Sequence, residues 1–348
     1  MTRARVRARL GATFTFACAL ATSTLAAPSA HADTPPSMWD RAKDPSLSES
    51  YRVHVEVQRR LALFRAEPQR DLFGVNDSQL RTVRALLERY DADQSRDPRL
   101  RFDLGLVYLR LEEYDKSAKT LSRVLADFPD HPAAEEGWLH LAFACGHTGD
   151  HDCERTAYTK VLQQATDELS RATPTLNLAE TEMHLGNLRE AVEGYREALR
   201  IAGRVPSRET APLAVWGLAV ALDRSGDRVG AEKEARFARD LERSMGLPNL
   251  LRTEGVFFVP AYEIHWYEGL GASAQARQAA SSSSEALRLW RAAERSFTHY
   301  VRFGELGKDR WLELAKLRLA AAKSEREKAE KKLVNEPRGE PAEEDRAP

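Results

Sequence analysis

Four side chains that can bind a metal ion lie within nine residues of one another near the middle of the chain. The stretch 144–154 reads ACGHTGDHDCE and places Cys145, His147, His151 and Cys153 at a spacing of C-x-H-x3-H-x-C. Cysteine thiolates and histidine nitrogens are the usual ligands of zinc in proteins. The same residues are compatible with a disulfide beside two unrelated histidines, or with free thiols. Which alternative holds depends on the elements that position them.

The rest of the sequence contains little that is typical of catalysis. It has no G-x-S-x-G, H-E-x-x-H, P-loop, G-x-G-x-x-G or C-x-x-C-H motif. Acidic residues recur beside basic ones at helical spacings, as in Glu325–Lys328–Lys332, which is typical of solvated helix faces. With 52 basic and 53 acidic residues, the chain has no excess positive charge for nucleic acid. We therefore expect no enzymatic activity, no cofactor and no nucleic-acid partner.

The first 32 residues have the pattern of a secretory signal peptide. A basic segment, MTRARVRAR, precedes the apolar run LGATFTFACALATSTLAA, and Ala30-His31-Ala32 supplies small residues for cleavage before Asp33. An uncleaved anchor is the alternative, although the run is rich in threonine and small residues. Cys18 is not preceded by a lipobox. We expect a protein that is periplasmic or extracellular, with no stable membrane insertion after cleavage.

Cleavage after Ala32 would change both the charge and the cysteine count. It would remove four arginines and no acids, so the formal charge would change from −1 to −5. It would also remove Cys18 and leave Cys145 and Cys153 as a pair, which favours a disulfide in an oxidising compartment. Arginine far outnumbers lysine and alanine is abundant, as is typical of a GC-rich bacterial genome.

Four segments of the chain align with one another and organise it. Their equivalent leucines are separated by 37, 37 and 40 residues and are Leu104, Leu141, Leu178 and Leu218. Each segment has apolar residues at the spacing of two amphipathic helices. In the last three segments a glycine followed by Asp or Asn marks the turn between the helices: Gly149-Asp150, Gly186-Asn187 and Gly226-Asp227.

These segments resemble tetratricopeptide repeats, in which the first helix carries W-x2-L-G-x2-Y and the second carries A-x3-F followed by P. The matching residues are Leu104-Gly105-x2-Tyr108, Trp138-x2-Leu141-Ala142, Ala191-x3-Tyr195-x2-Ala198 and Ala231-x3-Ala235-x2-Ala238. Small residues in this pattern allow the paired backbones to approach closely. The resemblance implies an all-α fold, a right-handed α-solenoid of helical hairpins with degenerate terminal repeats.

The pattern also predicts how the chain divides. The predicted segments are a signal peptide (1–32), a flexible linker (33–46), an N-terminal helical cap or degenerate repeat (47–97), four repeats (98–243), an aromatic-containing insertion with the first helix of a further repeat (244–284), a C-terminal degenerate repeat with a capping helix (285–335) and a disordered acidic, proline-rich tail (336–348).

In tetratricopeptide repeat proteins the first helix of each repeat lines a concave groove that receives a peptide or a partner protein. Transferred to this sequence, the groove would be lined by Phe102, Leu106, Arg110, Leu139, Phe143, His147, Leu176, Glu180, His184, Trp216, Val220 and Arg224. One apolar column would comprise Phe102, Leu139, Leu176 and Trp216. A second column, of Arg110, His147, His184 and Arg224, would suit acidic groups and respond to pH through its histidines. Ordinary polar residues at helix ends are the alternative interpretation.

The insertion carries four aromatic residues, Phe257, Phe258, Trp266 and Tyr267, which form either a second contact patch or additional core. The repeat register places Cys145 late in a first helix and Cys153 in the first turn of the second helix. The two cysteines then face each other across one hairpin, and we predict a disulfide, with free thiols and a metal site as alternatives.

The function that follows is an exported scaffold or adaptor of the bacterial cell envelope. It would bind a protein or peptide partner through the groove of its helical repeats. Two alternatives stay open at this point. One is an envelope factor that binds metal through the cysteine–histidine cluster, and the other is a structural subunit of a larger envelope assembly with no discrete peptide ligand.

Overall fold

All regular secondary structure in the described part of the chain is helical. The structure is a computed structural model, and it describes residues 37–66, 75–206, 209–247, 249–253, 256, 258–279 and 281–335. The predicted signal peptide (1–32) and acidic tail (336–348) lie outside these ranges. The helices are α1 (Met38–Lys43), α2 (Ser46–Ala66), α3 (Val75–Arg89), α4 (Pro98–Arg110), α5 (Tyr114–Asp127), α6 (Ala134–Thr148), α7 (His151–Gln164), α8 (Glu168–Leu185), α9 (Leu188–Ala202), α10 (Thr210–Ser225), α11 (Arg228–Ser244), α12 (Ile264–Gln278), α13 (Ser283–Gly307) and α14 (Leu312–Asn335).

The chain forms two compact units. Unit one comprises residues 1–211 and 249–257, and unit two comprises residues 212–248 and 258–348. In unit one, α4 packs on α5, α6 on α7 and α8 on α9, while α5 contacts α6 and α7 contacts α8. The N-terminal helices α2 and α3 pack on each other and on α4. Three of the four predicted hairpins therefore follow one another in this unit, and the all-α prediction is confirmed.

In unit two, the fourth predicted hairpin is followed by three long helices. Trp216 of α10 donates its Nε1–H to the Glu242 carboxylate of α11 at 2.8 Å. After the insertion, α11 packs on α12, α12 on α13 and α13 on α14. The insertion itself holds two short 3₁₀ turns, Leu250–Arg252 and Ala261–Glu263. The helix predicted at its end is α12.

The predicted turns are present at the ends of α6, α8 and α10. Gly149, Gly186 and Gly226 have φ values of 76°, 86° and 94°, the left-handed conformation that ends a helix and that a side chain would strain. The Asp150 carboxylate then accepts the backbone N–H of Cys153 at 3.0 Å, which caps α7. Asp227 caps α11 in the same way through the N–H of Gly230. Turn and cap together fix where α7 and α11 begin.

Small residues allow the helices of a hairpin to approach closely, as the repeat pattern predicts. A methyl group built on Gly105 of α4 would lie 2.6 Å from the Leu121 side chain of α5. One built on Gly194 of α9 would lie 2.8 Å from the Ala179 side chain of α8. Neither position has room for a Cβ unless the helices move apart.

Among the described residues, two buried apolar clusters pack the helices α2 to α7 of unit one. The first joins α2, α3 and α4 and comprises Val53, Val57, Leu61, Leu80, Val83, Leu87, Ala92, Leu100, Leu104, Leu106 and Val107. The second joins α4 to α7 and comprises Phe102, Leu121, Val124, Leu125, Ala134, Leu141, Ala142, Cys145, Ala157 and Tyr158. Burial of these side chains supplies most of the driving force for packing the hairpins.

The structure differs from the predicted boundaries at the N-terminal end. A short helix, α1, lies inside the predicted flexible linker 33–46. Ser37 and Asp40 form a reciprocal capping box at its start, which satisfies backbone donors that a linker would leave to water. None of the helices in the described ranges has both the length and the apolar character needed to cross a lipid bilayer.

Candidate partner-binding face

Five of the predicted groove residues are partly exposed in unit one, and we refer to them together as the α6–α8 face. It consists of Leu139, Phe143 and His147 of α6 and of Glu180 and His184 of α8, and all five are partly exposed. The four-residue spacing within each set places its members on one side of the helix. Both helices are the first helices of consecutive hairpins. Arg110, at the end of α4, is partly exposed as well.

A stack of rings forms the α6 part of this face. The Tyr114 ring at the start of α5 lies 4.1 Å from the His147 ring and nearly parallel to it. The Phe143 ring lies 4.5 Å from His147 on the same helix. Burial lowers the pKa of His147 to about 4, so its imidazole is neutral at neutral pH. The predicted role of His147 in attracting acidic groups is therefore wrong, because the ring is a neutral member of an aromatic stack.

Two further histidines connect α7 to α8. The rings of His151 and His184 stack with centroids 4.8 Å apart and an interplanar angle of 8°. His151 Nδ1 lies 2.8 Å from the Glu154 carboxylate, and His184 Nε2 lies 3.9 Å from Glu180. Glu154 occupies the repeat position at which a small residue is usual, and its carboxylate binds His151. The histidines thus connect adjacent hairpins of the chain.

A comparison with protein families identifies this arrangement. A family model described as tetratricopeptide repeat matches residues 80–132 and 102–170, which contain α4 to α7 with the flanking parts of α3 and α8. Residues 80–170 of the chain therefore match tetratricopeptide repeats. Such TPR hairpins generally form scaffolds for protein–protein interaction. No curated protein shows significant similarity to the chain.

Solved TPR structures resemble the chain at low identity. MamA of AMB-1 is 19% identical over 49% of this chain and 94% of its own, with a TM-score of 0.41. A putative kinesin light chain of Podosopora anserina with nearly identical TPR-like repeats is 18% identical over 56% of this chain and 97% of its own, with a TM-score of 0.45. A Rap protein complexed with competence and sporulation factor is 12% identical over 82% of this chain and 78% of its own, with a TM-score of 0.46.

The first TPR hairpin does not present the predicted groove residues. Phe102 is buried and stacks on His131 with ring centroids 5.3 Å apart, and Leu106 is buried in the cluster that includes α2. Next to them, Asp103 accepts hydrogen bonds from His54 and Gln58 of α2, each at 2.7 Å. The groove prediction for these two residues is wrong, because Phe102 packs in the cluster that joins α4 to α5 and α6, and Leu106 packs in the cluster that includes α2. Leu176 of α8 is also buried.

The hairpin of α10 and α11 in unit two shows the same departure. Trp216 and Val220 of α10 are fully buried, and so is the side chain of Arg224. The Arg239 guanidinium lies over the Trp216 ring, 4.8 Å from the ring centroid. The same ring packs against Gly271 of α12. These three residues therefore belong to the interior of unit two, and their prediction as groove residues is wrong.

Arg224 is the centre of a buried polar network. Its Nη2 lies 2.7 Å from the Glu263 carboxylate, and the Tyr300 hydroxyl donates to the same carboxylate at 2.9 Å. The Trp266 and Trp311 rings lie 4.7 and 5.0 Å from the guanidinium. Burial opposes the charged form, but the Glu263 carboxylate and nearby tyrosines raise the pKa of Arg224 above its ordinary value. The guanidinium is consequently charged, and it is neutralised inside the protein.

The predicted second contact patch is largely interior. Trp266 and Tyr267 are buried, and Trp266 donates its Nε1–H to the Asp223 carboxylate at 3.1 Å. Phe258 is partly buried and packs on Tyr267 with ring centroids 5.0 Å apart. Phe257 lies outside the described residues. Of the two interpretations of this segment, additional core is the correct one for Trp266 and Tyr267.

The opening cysteines form a covalent link within the second TPR hairpin. Cys145 and Cys153 are joined in a disulfide with their Cα atoms 5.8 Å apart, as predicted. Restricting the unfolded chain over so short a loop contributes about 2–3 kcal/mol to stability. The bonded sulfurs are no longer thiolates, so they do not supply the ligands that a zinc site needs. Across the described ranges, no cluster of three or more potential ligands is arranged to hold a metal ion.

One exposed set of rings in unit two was not anticipated. Tyr262 and His265, at the start of α12, lie beside His299 and Phe303 of α13. The signal for the α13 part was present in the sequence. His299 and Phe303 alternate with the apolar residues Phe297 and Tyr300, so the helical period places them on another side of α13.

Proposed function

We propose that the chain is an exported scaffold that binds a partner protein or peptide through the α6–α8 face. The observation that carries this proposal is the partly exposed stack of Phe143, His147 and Tyr114. It lies within the residues that match the TPR family model. The repeat positions equivalent to Phe143 in α4 and α10 are buried by other helices of the chain. Partly exposed aromatic rings are common anchors of protein interfaces. Since His147 is neutral, the partner is recognised there by apolar and aromatic contacts.

Export is the second part of the proposal. It is supported by the basic and apolar segments of residues 1–32 with the Ala30-His31-Ala32 motif. The disulfide between Cys145 and Cys153 agrees with an oxidising compartment, in which such bonds persist. The scaffold would then act in the bacterial periplasm or outside the cell.

The binding proposal is tested by site-specific crosslinking in the native host. A photo-crosslinking amino acid at Leu139 of the α6–α8 face is expected to capture a discrete partner, because this side chain is partly exposed beside the ring stack. The matched control position is Thr159, which is exposed on α7. Phe143→Glu is expected to remove the crosslink while the far-ultraviolet circular dichroism of the protein stays unchanged. Equal crosslinking from both positions, or a crosslink that survives Phe143→Glu, would contradict the proposal.

The export proposal is tested by cell fractionation and N-terminal sequencing. The protein is expected in the periplasm or medium with Asp33 as its first residue, because the small residues at positions 30 and 32 fit the signal peptidase. Replacing Ala30 and Ala32 with leucine is expected to yield a longer form that retains the apolar segment. Recovery of the wild-type protein in the cytoplasm with residues 1–32 intact would refute export.

A further inference from the structure

An aromatic patch lies on the surface of unit two and shares no residue with the α6–α8 face. We name it the α12–α13 patch and define it by Tyr262, His265, His299 and Phe303. The His265 and His299 ring centroids are 5.1 Å apart, and each of these rings lies 6.5 Å from that of Phe303. The Tyr262 ring lies 6.4 Å from Phe303. All four contacts have interplanar angles of 28° or less, so the rings form a layer of nearly parallel planes.

Core packing does not explain this patch. Helix α13 buries Ala293, Phe297, Tyr300 and Gly304 at alternating spacings of four and three residues, which is the ordinary core face of a helix. His299 and Phe303 lie outside that face, and 40% of Phe303 is exposed. Leu306, one turn further along, is 81% exposed. Contiguous exposed rings and apolar side chains of this kind are typical of interaction sites.

Two arginines flank the exposed rings of α13. Arg295 and Arg302 are exposed, and neither makes an ion pair with any residue in the described ranges. Earlier in the same helix, Arg288 and Arg291 are paired with Glu285 and Glu330 at 2.6 and 2.9 Å. The Arg302 guanidinium lies 5.9 Å from the Phe303 ring centroid. Two guanidinium groups without an ion-pair partner in the described ranges therefore lie beside the α12–α13 patch.

The acidic groups around the patch already have partners. Glu268 lies 3.5 Å from His265 Nδ1, and Asp309 accepts a hydrogen bond from the Tyr262 hydroxyl at 3.0 Å. Glu305 lies 3.8 Å from Lys316 of α14. None of these carboxylates forms an ion pair with Arg295 or Arg302. A partner with negatively charged groups would therefore complement the charge beside the patch.

We infer that the α12–α13 patch binds an extended acidic segment of a partner protein, with an aromatic side chain of that segment on the rings. Arg295 and Arg302 are seven residues apart, which is about 10.5 Å along a helix. Side chains alternate between the two faces of an extended strand, so carboxylates four residues apart share one face and are separated by about 13–14 Å, which the long arginine side chains can span. One acid then meets each guanidinium. The aromatic residue between them then lies over Phe303 and His299, where ring stacking adds to the ion pairs. This surface is independent of any partner of the α6–α8 face.

The inference is tested by fluorescence anisotropy with a defined probe and the purified full chain. The probe is the fluorescein-labelled peptide Gly-Asp-Glu-Phe-Asp-Glu-Gly, measured at 0.15 M salt because exposed charges are screened there to a range of about 8 Å. Saturable binding is expected, and Arg295→Glu with Arg302→Glu is expected to weaken it about tenfold or more. Phe303→Ala is expected to weaken it severalfold.

The control has the same charge change at another place. Arg89→Glu with Arg196→Glu reverses two exposed arginines of unit one that likewise have no ion pair in the described ranges, and it is expected to leave peptide binding within about twofold of wild type. The inference is overturned if this control loses as much peptide affinity as the α13 double variant. It is also overturned if a peptide with lysine in place of its four acidic residues binds equally well. Binding to phosphatidylglycerol vesicles without binding to the peptide also overturns it, in favour of a lipid surface.

Discussion

Replacing Glu263 with glutamine is expected to lower the free energy of unfolding by about 3–5 kcal/mol, because the change leaves a charged guanidinium buried without its counter-ion. The side chains of Arg224 and Glu263 are 0% and 2% exposed, so water cannot compensate. The Tyr300 hydroxyl can still donate to the glutamine oxygen, which confines the loss to the ion pair. Urea denaturation of the wild type and the variant, followed by circular dichroism, measures the difference.

The double variant Arg224→Met with Glu263→Gln separates the pair from its burial. It removes the buried guanidinium charge that Glu263→Gln leaves without a counter-ion. The double variant is therefore expected to be more stable than Glu263→Gln alone. The surface pair of Glu285 with Arg288 is the matched control, and Glu285→Gln is expected to cause no measurable change. A Glu263→Gln protein as stable as wild type would show that Arg224 is not buried with its charge.

The hairpins of this chain were predictable because their signals are local. A leucine followed by a small residue recurs at equivalent positions along the chain, first as Leu104-Gly105 and then as leucine-alanine. In the last three segments a glycine followed by Asp or Asn marks where one helix ends and the next begins. The register of one hairpin also sufficed to predict the disulfide between Cys145 and Cys153. Each of these inferences involves residues within one repeat, for which helix geometry fixes the relative positions.

The groove was only partly predictable because distant residues decide which helix faces stay open. In unit one, Asp103 of α4 is held by His54 of α2, 49 positions earlier. In unit two, Asp223 of α10 is held by Arg318 of α14, 95 positions later, with Nε 2.9 Å from the carboxylate. Repeat spacing says which residues share a face, but it does not say that a terminal helix covers that face. The interior of the array therefore had to be located from the structure.

Trp216→Ala is expected to lower the free energy of unfolding by about 3–5 kcal/mol, because it removes a fully buried ring from the contact of α10, α11 and α12. The Glu242 carboxylate would lose the Nε1–H donor at 2.8 Å, and Arg239 would lose the ring beneath it. Glu242 would keep its ion pair with Arg239, but a cavity beside a buried carboxylate that has lost one donor is costlier than a cavity alone. The urea midpoint and slope of Trp216→Ala, against wild type, measure the loss.

Leu139→Ala is the matched control, since Leu139 holds the equivalent position in α6 and is partly exposed. Its expected loss is roughly 1 kcal/mol, because less surface is withdrawn from water. Trp216→Phe keeps most of the volume and is expected to fall between wild type and Trp216→Ala. If Trp216 instead lined an open groove, Trp216→Ala would cause little loss of stability. The order of the two alanine variants thus decides whether the same repeat position is core in α10 and partly exposed in α6.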